Sequence, residues 1–223
     1  IPDSRNVFLN CKNKNAKYAG FIDDDCSIDK NWLVNMMKFF EENNCDIAGG
    51  PQYHQIKDKI FKNYYDVLEP FRRHGQLVRW VATNNCFFSQ KVFSTSKVFF
   101  DPEFANIGGS DQLFFSKLKK KKFIIRWNKK SFITENFNFQ REKKIWFFKR
   151  NLRYGYSGNL IDKKIYGKIG LLIIFIKMLY LITAAFFLVF FPSRKNYIKV
   201  TFLLLRAYGR FIGLLNYKPK KYI

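Results

Sequence analysis

Three consecutive carboxylates, Asp23-Asp24-Asp25, follow the apolar run Tyr18-Ala19-Gly20-Phe21-Ile22. At low dielectric such charges repel one another, so the triplet needs a cation or abundant water. Alternate residues of an extended segment point the same way, which predicts that Asp23 and Asp25 share one hard divalent ion while Asp24 faces elsewhere. A solvated acidic turn is the plainer alternative. A further carboxylate, Asp111, stands after Gly108-Gly109-Ser110 where a helical pattern begins. It is placed either to take a proton from a hydroxyl or simply to cap the helix. Asn84-Asn85 can hydrogen-bond hydroxyls of a ligand, although paired asparagines are also ordinary turn formers. With only His54 and His74 in the chain, histidine-based triads are nearly excluded, and His54 reads as a lone surface residue.

The elements that must position these groups are those of an α/β domain. The run before the triplet reads as a buried strand delivering its acids at the carboxyl end, where open α/β sheets bind ligands. Asp29 is a plausible N-cap for a helix on which Trp32, Leu33, Met36, Met37, Phe39 and Phe40 fall at helical spacing. Asp46 to Pro51 reads as a second strand closed by a turn, and Ile60 to Glu69 as a helix stopped by Pro70. Val78 to Thr83 and Cys86 to Phe88 are expected as strands flanking the polar corner at Asn84-Asn85. A helix from Ser110 through Leu118 should end in the positive run Lys119 to Lys122, which suits a helix C-terminus.

The chain is 223 residues long and 48% hydrophobic, enough to bury a core, and its formal net charge is +23. That excess points to nucleic acid, an anionic membrane surface or a phosphate-bearing substrate, or else reflects the Lys-, Asn-, Phe- and Ile-rich bias of an AT-rich genome. Cys11, Cys26, Cys45 and Cys86 show neither CxxC pairing nor zinc-like spacing, so reduced thiols are expected. The last third changes character. Residues 169–191 are apolar apart from Tyr180, Lys177 and Thr183, and at 1.5 Å rise they span about 34 Å, enough for a bilayer core. Lys177 within it costs about 2–3 kcal/mol unless paired or snorkelling. The alternative is a buried hairpin helix. Residues 200–215 form a shorter apolar stretch in which Arg206 and Arg210 share a face, as in a helix lying in the interface. Basic residues flank the first segment on both sides, so the positive-inside rule gives no orientation.

Taken in order, Ser4-Arg5-Asn6, Phe21-Ile22-Asp23-Asp24-Asp25 and Trp32-Leu33 resemble family 2 glycosyltransferases of the GT-A fold. Further on, Trp80-Val81-Ala82-Thr83-Asn84-Asn85, Phe100-Asp101-Pro102-Glu103-Phe104 and Gly108-Gly109-Ser110-Asp111-Gln112-Leu113 are similar to the acceptor half of such enzymes, so the resemblance covers roughly Pro2 to Gly158. It implies a Rossmann-like mixed sheet flanked by helices, incomplete at its N-terminus, followed by C-terminal hydrophobic membrane helices. It also implies Mg²⁺ or Mn²⁺ on Asp23 and Asp25, nucleotide-sugar contacts from Arg5, Asn6 and Asp24, and Asp111 as catalytic base. Acceptor contacts would come from Trp80, Asn84, Asn85, Gly108, Gly109 and Ser110, although a tryptophan in an apolar run is more often a core residue. Ser110 stands where the family often has glutamate. Arg141, in a basic segment after Glu135, could meet a phosphate. Gln140-Arg141 followed by Trp146 departs from the Q-x-x-R-W spacing of processive synthases, which argues against a chain-elongating enzyme.

The expected organisation is a GT-A domain over residues 1–158, holding the metal and acceptor half, and a membrane-anchoring segment over 159–223. The expected activity is metal-dependent, inverting transfer of a sugar from a nucleotide-sugar donor to a glycan or lipid-linked acceptor in cell-surface polysaccharide or lipopolysaccharide synthesis. The expected place is the inner membrane, with the catalytic domain facing the cytoplasm and an anionic leaflet as partner. Nothing before Ser4 supplies the strand and loop that grip the nucleotide base, so the 223 residues alone are expected not to bind donor. A rival reading is a basic, membrane-tethered nucleic-acid- or lipid-binding protein in which Lys119 to Lys122 and the C-terminal arginines contact phosphates. The acidic triplet is poorly placed for that, and no nucleic-acid partner is expected. A metal-dependent phosphoesterase would need more histidines or carboxylates than the spacing offers.

Overall fold

The apolar run ahead of the acidic triplet forms strand β1 (Tyr18–Ile22) in the computed structural model, which describes residues 2–11, 15–56, 59–68, 71–136 and 141–215. Around it the chain runs α1 (Pro2–Cys11), β1, β2 (Cys26–Ile28), α2 (Trp32–Glu42), β3 (Ile47–Gly49), β4 (Gln52–His54), α3 (Lys59–Leu68), β5 (Asn85–Ser89), α4 (Gln90–Thr95), α5 (Ser110–Lys120), β6 (Ile125–Trp127), β7 (Ile133–Glu135), α6 (Lys144–Tyr166), α7 (Gly170–Val189) and α8 (Arg194–Leu214). Contacts divide it into two units: Ile1–Gln55 with Phe71–Ala105 and Ser110–Phe137, and Ile56–Pro70 with Asn106–Gly109 and Asn138–Ile223. The boundary expected at residue 158 falls inside α6.

In the first unit a four-stranded sheet has the order β1-β5-β3-β6, with β3 and β6 parallel and the other pairs antiparallel. A three-stranded sheet, β2-β7-β4, pairs β7 antiparallel to β2 and parallel to β4. The inner strands β3 and β5 of the larger sheet are buried on both faces, which is why they read as apolar runs rather than alternating ones. Ile47 and Phe88 point to one side, where Phe114, Phe115 and Leu118 of α5 cover them. Their neighbours Ala48 and Phe87 point to the other, against Trp32, Met36 and Phe39 of α2. That is the period-2 alternation of strands meeting the helical spacing of α2 and α5. Each large apolar side chain so buried stabilises the fold by about 1.5–3 kcal/mol.

Two local expectations change. Residues 78–83 do not form a strand; Val78 donates its N–H to the Ile125 carbonyl (3.0 Å), Leu77 makes one bridge to Arg126, and the segment then turns into β5 through Asn85 N–H to Ala82 O (3.2 Å). Asp29 does not cap α2. Its carboxylate accepts from the Asn31 N–H (2.9 Å) in a turn one residue earlier, and Asn31 is the N-cap. The proposed stop at Pro70 lies outside the described residues. Among the described side chains Cys26, Cys45 and Cys86 are free thiols. Burial pushes Cys45 up to about 12 and Cys86 up as well, so neither is a ready thiolate.

The second unit is helical. Tyr65 of α3, Phe147 of α6, and Ile198 and Phe202 of α8 form its aromatic core. A short 3-10 turn at Gly167–Ile169, with Gly167 at φ +56°, separates α6 from α7. Helices α6 and α8 approach closely because a Cβ on Gly155 would collide with the Arg206 carbonyl and one on Gly209 with the Leu152 carbonyl. Small residues at a helix crossing let two backbones come into contact. Among the described residues one helical stretch, Lys144–Val189, is long and apolar enough to cross a membrane, and only 11% of its apolar window is buried. Leu172, Leu179, Phe186 and Phe187 of α7 lie exposed. A helix this uncovered is not the buried hairpin that the sequence left open.

Lys177 is relieved by pairing rather than snorkelling: its Nζ lies 2.6 Å from Asp162 Oδ1, while Arg210 Nη1 lies 2.9 Å from Oδ2. Arg206 donates to Asn151 Oδ1 (2.8 Å). Arg206 and Arg210 therefore face α6, whereas Tyr197, Leu204, Tyr208 and Phe211 are exposed.

Candidate active site

Asp23 to Cys26 is a tight turn, closed by the Cys26 N–H to the Asp23 carbonyl (3.1 Å), and not the extended segment expected. Because the chain reverses there, Asp24 is exposed, Asp25 lies beside Cys26 Sγ (3.6 Å), and Asp23 faces the larger sheet's end. Opposite it stands Arg5 from α1, which donates from Nη2 to Asp23 Oδ1 (3.1 Å) and from Nη1 to Asp111 Oδ1 (2.9 Å). One guanidinium thus bridges two carboxylates that lie far apart in sequence. Burial pushes the Asp23 carboxyl above its ordinary value, opposed by Arg5 and reinforced by the negative charges of Asp111 and Asp25. Among the described residues a single guanidinium thus meets both Asp23 and Asp111 there.

Asp111 does not behave as a cap. Its carboxylate accepts from Arg5, from Ser110 Oγ (3.2 Å), and from both the N–H (3.2 Å) and Oγ1 (2.9 Å) of Thr83. The irregular path of residues 78–83 has its purpose here, since it delivers Thr83, fully buried, to the start of α5. Thr83 was not singled out by sequence; its place in the Trp80–Asn85 motif was the available signal. The Asn84 side-chain oxygen is buried and without a hydrogen-bond partner among the described residues. A buried acceptor of that kind costs about 1–3 kcal/mol unless something donates to it.

Other expected residues are engaged by the fold. Asn85 accepts from Trp32 Nε1 (2.8 Å) and donates both amide hydrogens, to the Pro51 and Ser131 carbonyls (2.9 Å each), so it holds α2 against the sheet. Asn6 clamps the Phe100 backbone through two bonds of 2.8 Å. Trp80 packs on the core beneath Arg72, whose guanidinium lies 5.5 Å from its ring centroid and 4.5 Å from that of Trp127. Gly108 and Gly109, in the helical unit, adopt φ of +75° and +94°, where side chains are strained, and a Cβ on either would press on Arg153 or Ser157. Arg141 lies in the turn before α6.

His54 is not a surface residue. Its Nδ1 lies 2.8 Å from Glu135 Oε2, at the cross-strand register His54↔Glu135, and Gln52 donates to the same carboxylate. Cys26 is the neighbour of Glu135 on the other side and the Asn136 N–H donates to the Asp25 carbonyl (2.8 Å), so this pair closes the smaller sheet beside the acidic turn.

Among the described residues no group of three or more His, Cys, Asp or Glu side chains is arranged to hold a metal ion. The donor set nevertheless fits a hard cation of the Mg²⁺ kind, which binds through one or two carboxylates and completes its shell with water and substrate phosphates. The surplus of carboxylate around Asp23 is the observation that favours it.

Residues 5–101 match the family model of glycosyl transferase family 2, the family that the motifs resemble. The expected α/β class, mixed sheets flanked by helices and followed by an apolar helix, stands with it. No curated protein is significantly similar in sequence. Among solved structures, TarS of S. aureus is 12% identical with a TM-score of 0.43 over 95% of this chain, and TarS 1-349 of S. aureus in complex with UDP-GlcNAc is 11% identical with a TM-score of 0.44 over 97%. The chain spans 42% of the first and 72% of the second.

Proposed function

We propose, from the family 2 glycosyltransferase segment at residues 5–101, that the chain moves a sugar from a nucleotide-sugar donor to a hydroxyl of a glycan or lipid-linked acceptor, with inversion. The observation that carries this reading is the Asp111 carboxylate, held by Arg5, Thr83 and Ser110 across from Asp23. Inversion asks for a carboxylate that takes the acceptor hydroxyl's proton on the face away from the leaving nucleotide, and fixed hydrogen bonds keep Asp111 aimed for it. The Asn84 oxygen, buried and lacking a donor, is suited to orient that hydroxyl. Mg²⁺ or Mn²⁺ held by Asp23 and Asp25 would supply the positive charge that stabilises the departing diphosphate. Arg5, already between Asp23 and Asp111, supplies a fixed cation at the same place, and the exposed Asp24 is left for the nucleotide side.

Residues 1–158 are assigned the metal and acceptor chemistry and 159–223 the anchoring, with α7 in the inner membrane, the catalytic unit on its cytoplasmic side, and cell-surface polysaccharide or lipopolysaccharide synthesis as the pathway class. The test is turnover of a panel of nucleotide sugars with Mn²⁺ by the purified chain in neutral detergent. Transfer or donor hydrolysis should vanish in Asp111→Asn and in Asp25→Ala. Transfer that persists in both variants sinks the assignment.

A further inference from the structure

A cavity of about 650 Å³ opens in the first unit between the segment 97–102 and the C-terminal half of α5. Lys97, Lys117, Lys120 and Lys121 line it, with Asp101 as the acid among them. Lys117 and Lys120 are spaced i and i+3 on α5 and so share one helix face, Lys121 follows in the turn that ends the helix, and Lys119 and Lys122 of the same charge run do not line the cavity. Its walls are apolar: Phe99, 45% exposed, Phe100 and Pro102. Lys97 sits at φ +49°, a left-handed conformation that is strained for a residue with a side chain.

The balance is four lysines to one aspartate, and Asp101 lies 3.9 Å from Lys117. Ammonium groups gathered round one cavity repel each other, and an anion between them reverses that cost. The shape selects among anions. A nucleic-acid site is a track of phosphates along an open groove. Here a short segment and one helix face bound a space for one phosphate head and a compact carbon skeleton against Phe99 and Pro102. Phe100, at the back, stacks on Phe114 with centroids 4.1 Å apart and has the Arg5 guanidinium 5.6 Å from its ring.

We propose that this cavity is a binding site for a phosphate ester, separate from the Asp23–Asp111 site, with the lysines holding the phosphate and the apolar wall its carbon skeleton. The ester is supplied either by a soluble sugar phosphate or by a lipid headgroup. The test is calorimetric titration of the full chain in neutral detergent with glucose 1-phosphate and with dihexanoylphosphatidylglycerol. Lys117→Gln with Lys121→Gln should weaken binding about tenfold or more, the loss of two charged contacts. The charge-matched pair Lys119→Gln with Lys122→Gln should change it by less than about threefold. Asp101→Asn, which keeps an oxygen for the Glu103 N–H, should tighten it. Binding of the sugar phosphate alone assigns a soluble ligand, of the lipid alone a headgroup, and of both the phosphate itself. Failure of both probes to bind, or equal weakening by the two lysine pairs, overturns the site.

Discussion

Each unit of the molecule holds aspartates against basic side chains, and the two arrangements differ in their balance. In the helical unit one carboxylate, Asp162, only 3% exposed, is shared by Lys177 and Arg210. In the α/β unit one cation, Arg5, is shared by Asp23 and Asp111, whose side chains are 42% and 26% exposed. The first arrangement has cation to spare, buries its carboxylate and ties α6 to α7 and α8. The second is short of positive charge and open. A surplus of carboxylate at the end of a sheet favours a substrate-borne or metal cation, whereas a saturated buried pair fixes helices.

The comparison breaks most visibly at Asp111. Asp111→Asn should lower transfer by about 10²–10⁴-fold, with little change in the unfolding midpoint, because the proton acceptor is lost while hydrogen-bonding capacity toward Thr83 survives. Next comes Asp162→Ala, which leaves Lys177 and Arg210 without their carboxylate and should destabilise the helical unit by about 3–5 kcal/mol. Thermal melts in detergent followed by circular dichroism read that loss. Activity per folded molecule should be unchanged, and equal loss of activity in both variants would erase the distinction between the two arrangements. Gly155→Val, forced against the Arg206 carbonyl, should cost about 1–3 kcal/mol or more in the same melt.

The smallest effect is on pH. Because the Asp23 carboxyl is raised above its ordinary value, it takes up a proton at higher pH than an unfolded aspartate does. Its contribution to stability therefore falls as pH rises from the unfolded value through the folded one, and Mn²⁺ affinity rises over the same interval. Removing the Asp111 charge lowers the Asp23 value, so Asp111→Asn should shift the pH profile of Mn²⁺ binding to the acid side. An unmoved profile would show that the two carboxylates do not sense each other.

Much of the fold was legible. The strand before the acidic triplet, the helix carrying Trp32 and Met36, the helix opening at Ser110 and the long apolar segment all carry their own periodicity. Of the site, Asp23 and Asp111 were legible as carboxylates at element ends, and their family context fixed their order. Illegible were the helix over residues 2–11, which reads weakly as one, and the irregular course of residues 78–83, whose apolar run mimics a strand although Val78, Trp80 and Val81 pack on the core without joining a ladder.

Side-chain partners were harder still. Arg5 meets Asp111 across 106 positions, Asn6 clamps Phe100 across 94, and Arg210 reaches Asp162 across 48. The sequence by itself determined which residues could bear charge and on what kind of element each would sit, because strand and helix periods are local. Only the tertiary structure decided which charges would meet, which asparagine would be saturated and which left with an open acceptor. Those pairings depend on sheet register and helix packing, and a shift of one residue in either sends the side chain to another face.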